Sequence, residues 1–151
     1  MPKIKKFWDL LNKDARMTLT KISRKTGIAI DTIKYRINEM KRKEIFNYAI
    51  IINPLKMGYP IFNALYLELI HFTKKEEKSL SKYIESHPYL VYAGKLSGKY
   101  DFVVGIISKD MNQFDQIANE FKTKFEHIIK NVDMMLVMKE YKYDYLLDLI
   151  E

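Results

Sequence analysis

Residues 18–43 read TLTKISRKTGIAIDTIKYRINEMKRK, and this stretch decides the fold of the first third of the chain. Thr18 is placed to cap a short helix running to about Thr26, with Leu19 and Ile22 turned inward. Gly27 follows, the residue expected where a helix ends in a left-handed turn. A second helix then runs from Ile30 or Asp31 to about Lys43, with Ile33, Ile37 and Met40 forming one apolar stripe. Two helices joined by so tight a Gly-containing turn make a helix-turn-helix. The stripe opposite the apolar one is Asp31, Tyr35, Asn38 and Arg42, flanked by Thr32, Lys34 and Glu39. A helix that enters a DNA major groove uses such a set. Asn pairs with adenine, Arg and Lys with guanine, and Thr or Tyr with base edges or phosphates. Lys21 and Arg24, on the preceding helix, are expected to contact phosphates. The candidate DNA-binding residues are therefore Lys21, Arg24, Asp31, Thr32, Lys34, Tyr35, Arg36, Asn38 and Arg42.

Upstream, Ile4, Phe7, Trp8, Leu10 and Leu11 have helical spacing and predict a first helix over residues 4–13. Downstream, Ile45 to Ile52 is rich in β-branched and aromatic residues and predicts a strand, the wing of a winged helix-turn-helix. Asn53-Pro54 and then Gly58-Tyr59-Pro60 read as turns and a boundary. The expected organisation is a DNA-binding domain over 1–45, a wing strand and hinge over 46–60, and a second domain over 61–151. Charge follows the same division. Residues 1–57 carry 14 Lys+Arg against 5 Asp+Glu, a net +9, and residues 58–151 carry 12 against 14, a net −2. A basic first third points to a polyanionic partner, here double-stranded DNA.

After Pro60 strands and helices alternate. Residues 61–70 alternate as a strand, with Leu65, Leu67 and Leu69 on one side. Thr73 with Glu76 opens a helix through Ser86, which Pro88 stops. Strands are expected over 89–96 and 100–108, around the turn Ser97-Gly98-Lys99. Asp110 with Gln113 opens a last helix carrying Phe114, Ile117, Ala118, Phe121, Phe125 and Ile128 on one face. Residues 132–142 predict a final strand, and Leu146, Leu147 and Ile150 an amphipathic tail. The order βαββαβ is ferredoxin-like, and the fold class is α+β. Two helices cover one face of such a sheet. The apolar groups on the other face predict a homodimer, assembling further.

Other chemistries fit less well. With no cysteine the chain has no disulfide, thiolate metal site or cysteine nucleophile. No apolar run approaches the roughly 18 residues of a membrane span. The first residues lack a signal-peptide core, so a cytoplasmic protein without a membrane partner is expected. His71, His87 and His127 have no ligand spacing, so neither metal nor cofactor is expected. Ser97 has no nearby histidine to serve as a base, and Gly94 to Lys99 lacks the Walker spacing. The eight methionines read as core filler. No catalytic residue is assigned and no enzyme is expected.

Several short motifs together resemble the Lrp/AsnC ("feast/famine") transcription regulators over nearly the whole length. They are Leu11-Asn12-Lys13-Asp14-Ala15-Arg16, Gly27-Ile28, Tyr35-Arg36-Ile37, Asn47-Tyr48, Asn53-Pro54 and Gly58-Tyr59-Pro60. The most specific is Leu96-Ser97-Gly98-Lys99-Tyr100-Asp101-Phe102, similar to the family's Gly-x-(Tyr/Phe)-Asp turn, and Leu136 to Glu140 resembles its final strand. The resemblance implies an N-terminal winged helix-turn-helix, a C-terminal βαββαβ sensor domain, dimers that assemble further, and an amino-acid effector near the turn. By the same resemblance the effector-binding residues are Ser97, Gly98, Tyr100, Asp101 and Met134. Three positions depart from the family pattern. Ala29-Ile30 stand where Ser-Pro usually opens the recognition helix, so capping is expected to pass to Asp31. Lys43-Glu44 stand where a glycine usually follows that helix. Met134 replaces a Thr or Ser and cannot match its hydrogen bonds, which favours weak binding or an apolar amino acid. The implied function is a sequence-specific DNA-binding transcription regulator modulated by a small molecule. The alternatives are an enzyme similar to the sirohaem decarboxylases, which resemble the family, and an architectural DNA binder without an effector.

Overall fold

The computed structural model describes residues 2–141, with side chains from Lys5 onward. The predicted tail residues Leu146, Leu147 and Ile150 lie outside the described residues. The chain divides into two compact units, the first running to Ile51 and the second spanning Ile52–Glu140.

The first unit is three helices, α1 (Pro2–Lys13), α2 (Leu19–Thr26) and α3 (Ile30–Arg42). The Thr18 side chain accepts a hydrogen bond from the Lys21 N–H and so caps α2. Gly27 ends α2 at φ 71°, the left-handed turn that sets α3 off in a new direction. Thr26 locks this corner from inside. Its buried hydroxyl donates to the Ile22 carbonyl at 2.8 Å and accepts from the Ile28 N–H at 3.3 Å. The core is Phe7, Trp8 and Leu11 of α1, Ile22 of α2, and Ile33 and Ile37 of α3. Met40 packs at its margin.

Two expectations for this unit fail. Asp31 does not cap α3. Ala29 is the N-cap, without a side-chain bond, and Asp31 sits inside the first turn. There its negative charge still favours the helix N-terminus. Ile45 to Ile52 is not a strand in the described chain. A strand must pair its backbone groups, and the described part of this unit contains no other strand to pair with. Only Phe46 of the segment reaches the core, edge-on to Trp8 at 5.1 Å between ring centroids. Glu44 takes φ 54°, a left-handed conformation that favours glycine, in the Lys43-Glu44 segment just after α3.

The second unit is β1 (Ile61–Leu69), α4 (Lys74–Ser86), β2 (Leu90–Lys95), β3 (Phe102–Ser108), α5 (Met111–Phe125) and β4 (Ile129–Leu136). The strands form one antiparallel sheet in the order β2-β3-β1-β4, the ferredoxin-like arrangement. Thr73 caps α4 and Asp110 caps α5 through their side chains. Leu65 and Leu67 of β1 and Val104 and Ile106 of β3 face the helices, where they meet Leu80, Ile84, Phe114, Phe121 and Phe125. Ile128 is buried in this core but lies beyond the end of α5, in the turn before β4. The last strand is Ile129–Leu136, not 132–142, since it begins as soon as that turn is complete. The turn between β2 and β3 is also longer than expected, with the strands stopping at Lys95 and resuming at Phe102.

Alternation along the strands puts Phe62, Ala64 and Tyr66 of β1 on the open face. There the Phe62 ring lies over Gly105. A Cβ at Gly105 would stand 2.7 Å from that ring, so any larger residue there must displace Phe62.

Candidate nucleic-acid interface and effector turn

Burial of Ile33 and Ile37 fixes the rotation of α3 and therefore what it presents outward. Asp31, Thr32, Lys34, Tyr35, Asn38 and Arg42 are exposed, and Arg36 is half-buried at the edge. Tyr35 is 66% exposed, far more than an aromatic ring with a structural role in this small unit. Lys21 and Arg24 are exposed on α2. Arg42 is engaged: its guanidinium donates from Nε to Glu39 Oε1 at 3.1 Å and from Nη2 to Oε2 at 2.9 Å. The hydrogen bond from Arg42 lowers the Glu39 carboxyl, and the same bond raises Arg42. The sequence places Glu39 beside the reading face and three positions before Arg42, the helical spacing at which a carboxylate and an arginine pair.

The β2–β3 turn is built around Asp101. Its carbonyl accepts from the Leu96 N–H and its own N–H donates to the Leu67 carbonyl, each at 2.8 Å. Its carboxylate oxygen accepts from the Leu69 N–H at 2.7 Å. Asp101 thus ties the turn to the end of β1, and one of its oxygens is already committed to the backbone. Gly98 has φ 144°, a conformation that disfavours a side chain although there is space for one. Ser97 and Gly98 are exposed.

Tyr100 leaves the turn on the open face of the sheet, with its ring 5.3 Å from that of Tyr66. Its hydroxyl donates to Asp133 Oδ2 on β4, and the Lys99 ammonium donates to the Tyr100 oxygen at 2.9 Å. Lys99 Nζ and Asp133 Oδ2 are 3.6 Å apart. The Tyr100 hydrogen bond, helped by the Lys99 charge, holds the Asp133 carboxyl below the usual carboxylate range. Met134 is not part of this group. It follows Asp133 in β4 and faces Leu65 across the ladder, so its side chain leaves the sheet on the opposite face. Asp133 and Lys99 were missed by the sequence reading. The available signal was a lone carboxylate in the apolar run Val132 to Leu136.

A helix-turn-helix unit with a polar, exposed face on α3, followed by a βαββαβ unit, is a two-part architecture that suits a DNA-binding regulator. The comparisons with known proteins agree. Residues 9–46 match the winged helix-turn-helix DNA-binding family and residues 67–147 match the Lrp/AsnC ligand binding domain. The chain belongs to the Lrp/AsnC family of transcription regulators. It is 27% identical over 142 residues to the HTH-type transcriptional regulator FL11 of Pyrococcus furiosus, covering 91% of this chain and 89% of that one. It is 26% identical over 119 residues to the HTH-type transcriptional regulator LrpA of Pyrococcus horikoshii, covering 73% and 84%. The fold is similar to that of an AsnC family transcriptional regulator from Agrobacterium tumefaciens, with a TM-score of 0.86 at 18% identity and 99% and 97% coverage. A transcriptional regulator from Neisseria meningitidis, solved as a complex with L-Met, gives a TM-score of 0.83 at 17% identity with 98% and 97% coverage. Among the described residues no helix is long and apolar enough to cross a membrane.

Proposed function

We propose that α3 lies in the major groove of an operator, with Tyr35, Asn38 and Arg42 reading bases while Lys21 and Arg24 of α2 hold phosphates. Asp31, Thr32, Lys34 and Arg36 complete the contact surface. The observation that carries this reading is the outward face of α3. Its side chains are polar and exposed, in the part of the chain that carries a net +9 over residues 1–57. Binding, not catalysis, is the activity, and it takes place in the cytoplasm.

The test is selection of bound duplexes from a random pool, followed by binding measurements on the selected operator. Tyr35→Ala and Asn38→Ala are expected each to lower the preference for operator over random duplex by about 1–3 kcal/mol. Lys21→Ala and Arg24→Ala should weaken both duplexes equally and flatten the salt dependence by about one phosphate contact each. Loss of preference in the α2 variants with none in the α3 variants would reverse the docking orientation.

The sensor reading is that a free amino acid binds on the open sheet face beside the turn of Ser97, Gly98 and Tyr100. Lys99 suits its carboxylate and Asp133 its ammonium group. The L-Met complex of the Neisseria regulator supports an apolar amino acid as the effector class. Asp101 serves here as the brace that shapes the turn. The part of the open face away from the turn, with Phe62 and Tyr92, supports a homodimer in which two sheets cover one another, and higher assembly of those dimers. Asp133→Asn is expected to weaken amino-acid binding at least tenfold in calorimetry, and light scattering on the same samples reports the assembly. Acid should do the same. A carboxyl lowered in the folded protein keeps its charge above its unfolded value of about 3.9. The charge offered to the ammonium group is therefore present above that pH, and with it the binding, and both are lost as the pH falls through the lowered value. Undiminished amino-acid binding by Asp133→Asn would remove Asp133 from the site.

A further inference from the structure

The Glu39–Arg42 fork adds a second layer to the reading helix, and its role rests on the DNA-binding reading of α3. Arg42 is 68% exposed at its side chain and Glu39 31%. Both carboxylate oxygens of Glu39 are used by one guanidinium, from Nε and Nη2. The two residues are three positions apart on α3, and Tyr35 lies one turn before Glu39 on the same side. The one arginine near the end of the reading helix is thus held by a carboxylate on that same helix.

We propose that Glu39 is a positioning residue that sets sequence specificity through Arg42: it occupies the guanidinium fork on random DNA and yields it only to a guanine edge. The physical basis is an exchange. A guanidinium that leaves this carboxylate for a single phosphate oxygen exchanges two charge-assisted hydrogen bonds for one. The Glu39 charge also repels the backbone that would supply it. Guanine O6 and N7 offer two acceptors to the same planar fork, so this exchange preserves the count of hydrogen bonds. The paired cytosine presents its N4 amino group as a donor, which a released carboxylate accepts. A G·C pair therefore satisfies both halves of the separated ion pair. A phosphate satisfies only Arg42 and leaves Glu39 facing negative charge.

The experiment is a double-mutant cycle. Wild type, Glu39→Gln, Arg42→Ala and the double variant are titrated with the selected operator and with random duplex over a range of salt. Glu39→Gln is expected to bind random duplex about five- to tenfold more tightly. Its preference for operator should fall by a similar factor, and its salt slope on random duplex should steepen by about 0.9, as Arg42 becomes a free phosphate contact. In the Arg42→Ala background the same substitution should leave the preference for operator unchanged. An equal effect of Glu39→Gln with and without Arg42 would show a plain loss of negative charge and would overturn the proposal, while leaving the docking of α3 intact. If wild type binds DNA but prefers no duplex over another, the base-reading role of α3 falls and takes this one with it, leaving an architectural binder. Circular dichroism of the four proteins should match, since both side chains lie outside the α3 core stripe of Ile33 and Ile37.

Discussion

Phe121→Ala is expected to lower the stability of the sheet unit by about 3–5 kcal/mol. Phe121 is fully buried on α5, between the helix and the sheet. Its ring centroid lies 5.2 Å from that of Phe125 and 6.1 Å from that of Tyr83 on α4. Truncation removes the contacts of an entire ring and leaves a hole among three elements that cannot all move inward together. At about 4–8 °C per kcal/mol for a domain of this size, the thermal midpoint should fall by at least about 12 °C. Tyr83 supplies an independent readout. Burial, and then its hydrogen bond to Glu120, raises its phenol to about 12. Opening the cavity to water should bring the phenol down towards its ordinary value, which an absorbance titration follows. The only tryptophan, Trp8, belongs to the first unit, so its fluorescence reports that unit alone. Its transition should not move in Phe121→Ala. An equal shift in both signals would show that the two units unfold as one block.

The helices and most of the sheet were legible because local signals agreed with the final packing. Thr18, Thr73 and Asp110 each cap a helix with the side chain that the sequence pattern nominates, and Gly27 takes the left-handed turn it alone takes easily. Leu65 and Leu67 share the buried face that period-two alternation assigns to them. The failures come where a segment's outcome depends on something distant. Ile45 to Ile52 has the composition of a strand, but composition supplies no partner, and the described chain leaves Ile50 91% exposed. Ile128 continues the apolar spacing of α5 and is buried as expected, yet the backbone has already turned towards β4. Periodicity reports which side chains are inside. It does not report where the helix hydrogen bonds stop.

The candidate sites divide the same way. The reading face of α3 follows from a single helix and its apolar stripe, so the sequence exposes it directly. The sensor group does not, because Tyr100 and Asp133 lie 33 positions apart and meet only through the order of strands in the sheet. Asp101 shows a subtler limit. Its place beside Gly98 suggests a ligand-facing carboxylate, but the Leu69 N–H, which is 32 positions away, takes one of its oxygens. A carboxylate's role depends on what donors the fold brings to it, and those donors are backbone groups that no residue pattern displays.

Ile33→Ala is expected to abolish operator binding, although Ile33 touches no DNA in the proposed docking. Ile33 is fully buried in a core of six side chains shared among three short helices. Removing a buried isoleucine to alanine costs about 2–5 kcal/mol. A unit of this size has few further contacts with which to absorb that cost, since small domains bury a smaller fraction of their surface and are correspondingly marginal. The expected result is a first unit substantially unfolded at 25 °C, with Trp8 emission shifted to the red from its buried position at 4% exposure. Operator affinity should fall more than about 100-fold, while the circular dichroism transition of the sheet unit stays in place. Tyr35→Ala is the control on the same helix, because its ring is exposed and its loss should change duplex preference without moving Trp8 emission. Normal Trp8 emission in Ile33→Ala together with lost binding would mean that Ile33 orients α3 without holding the unit folded. Normal emission together with normal affinity would mean that the neighbouring Trp8 and Leu11 close over the gap.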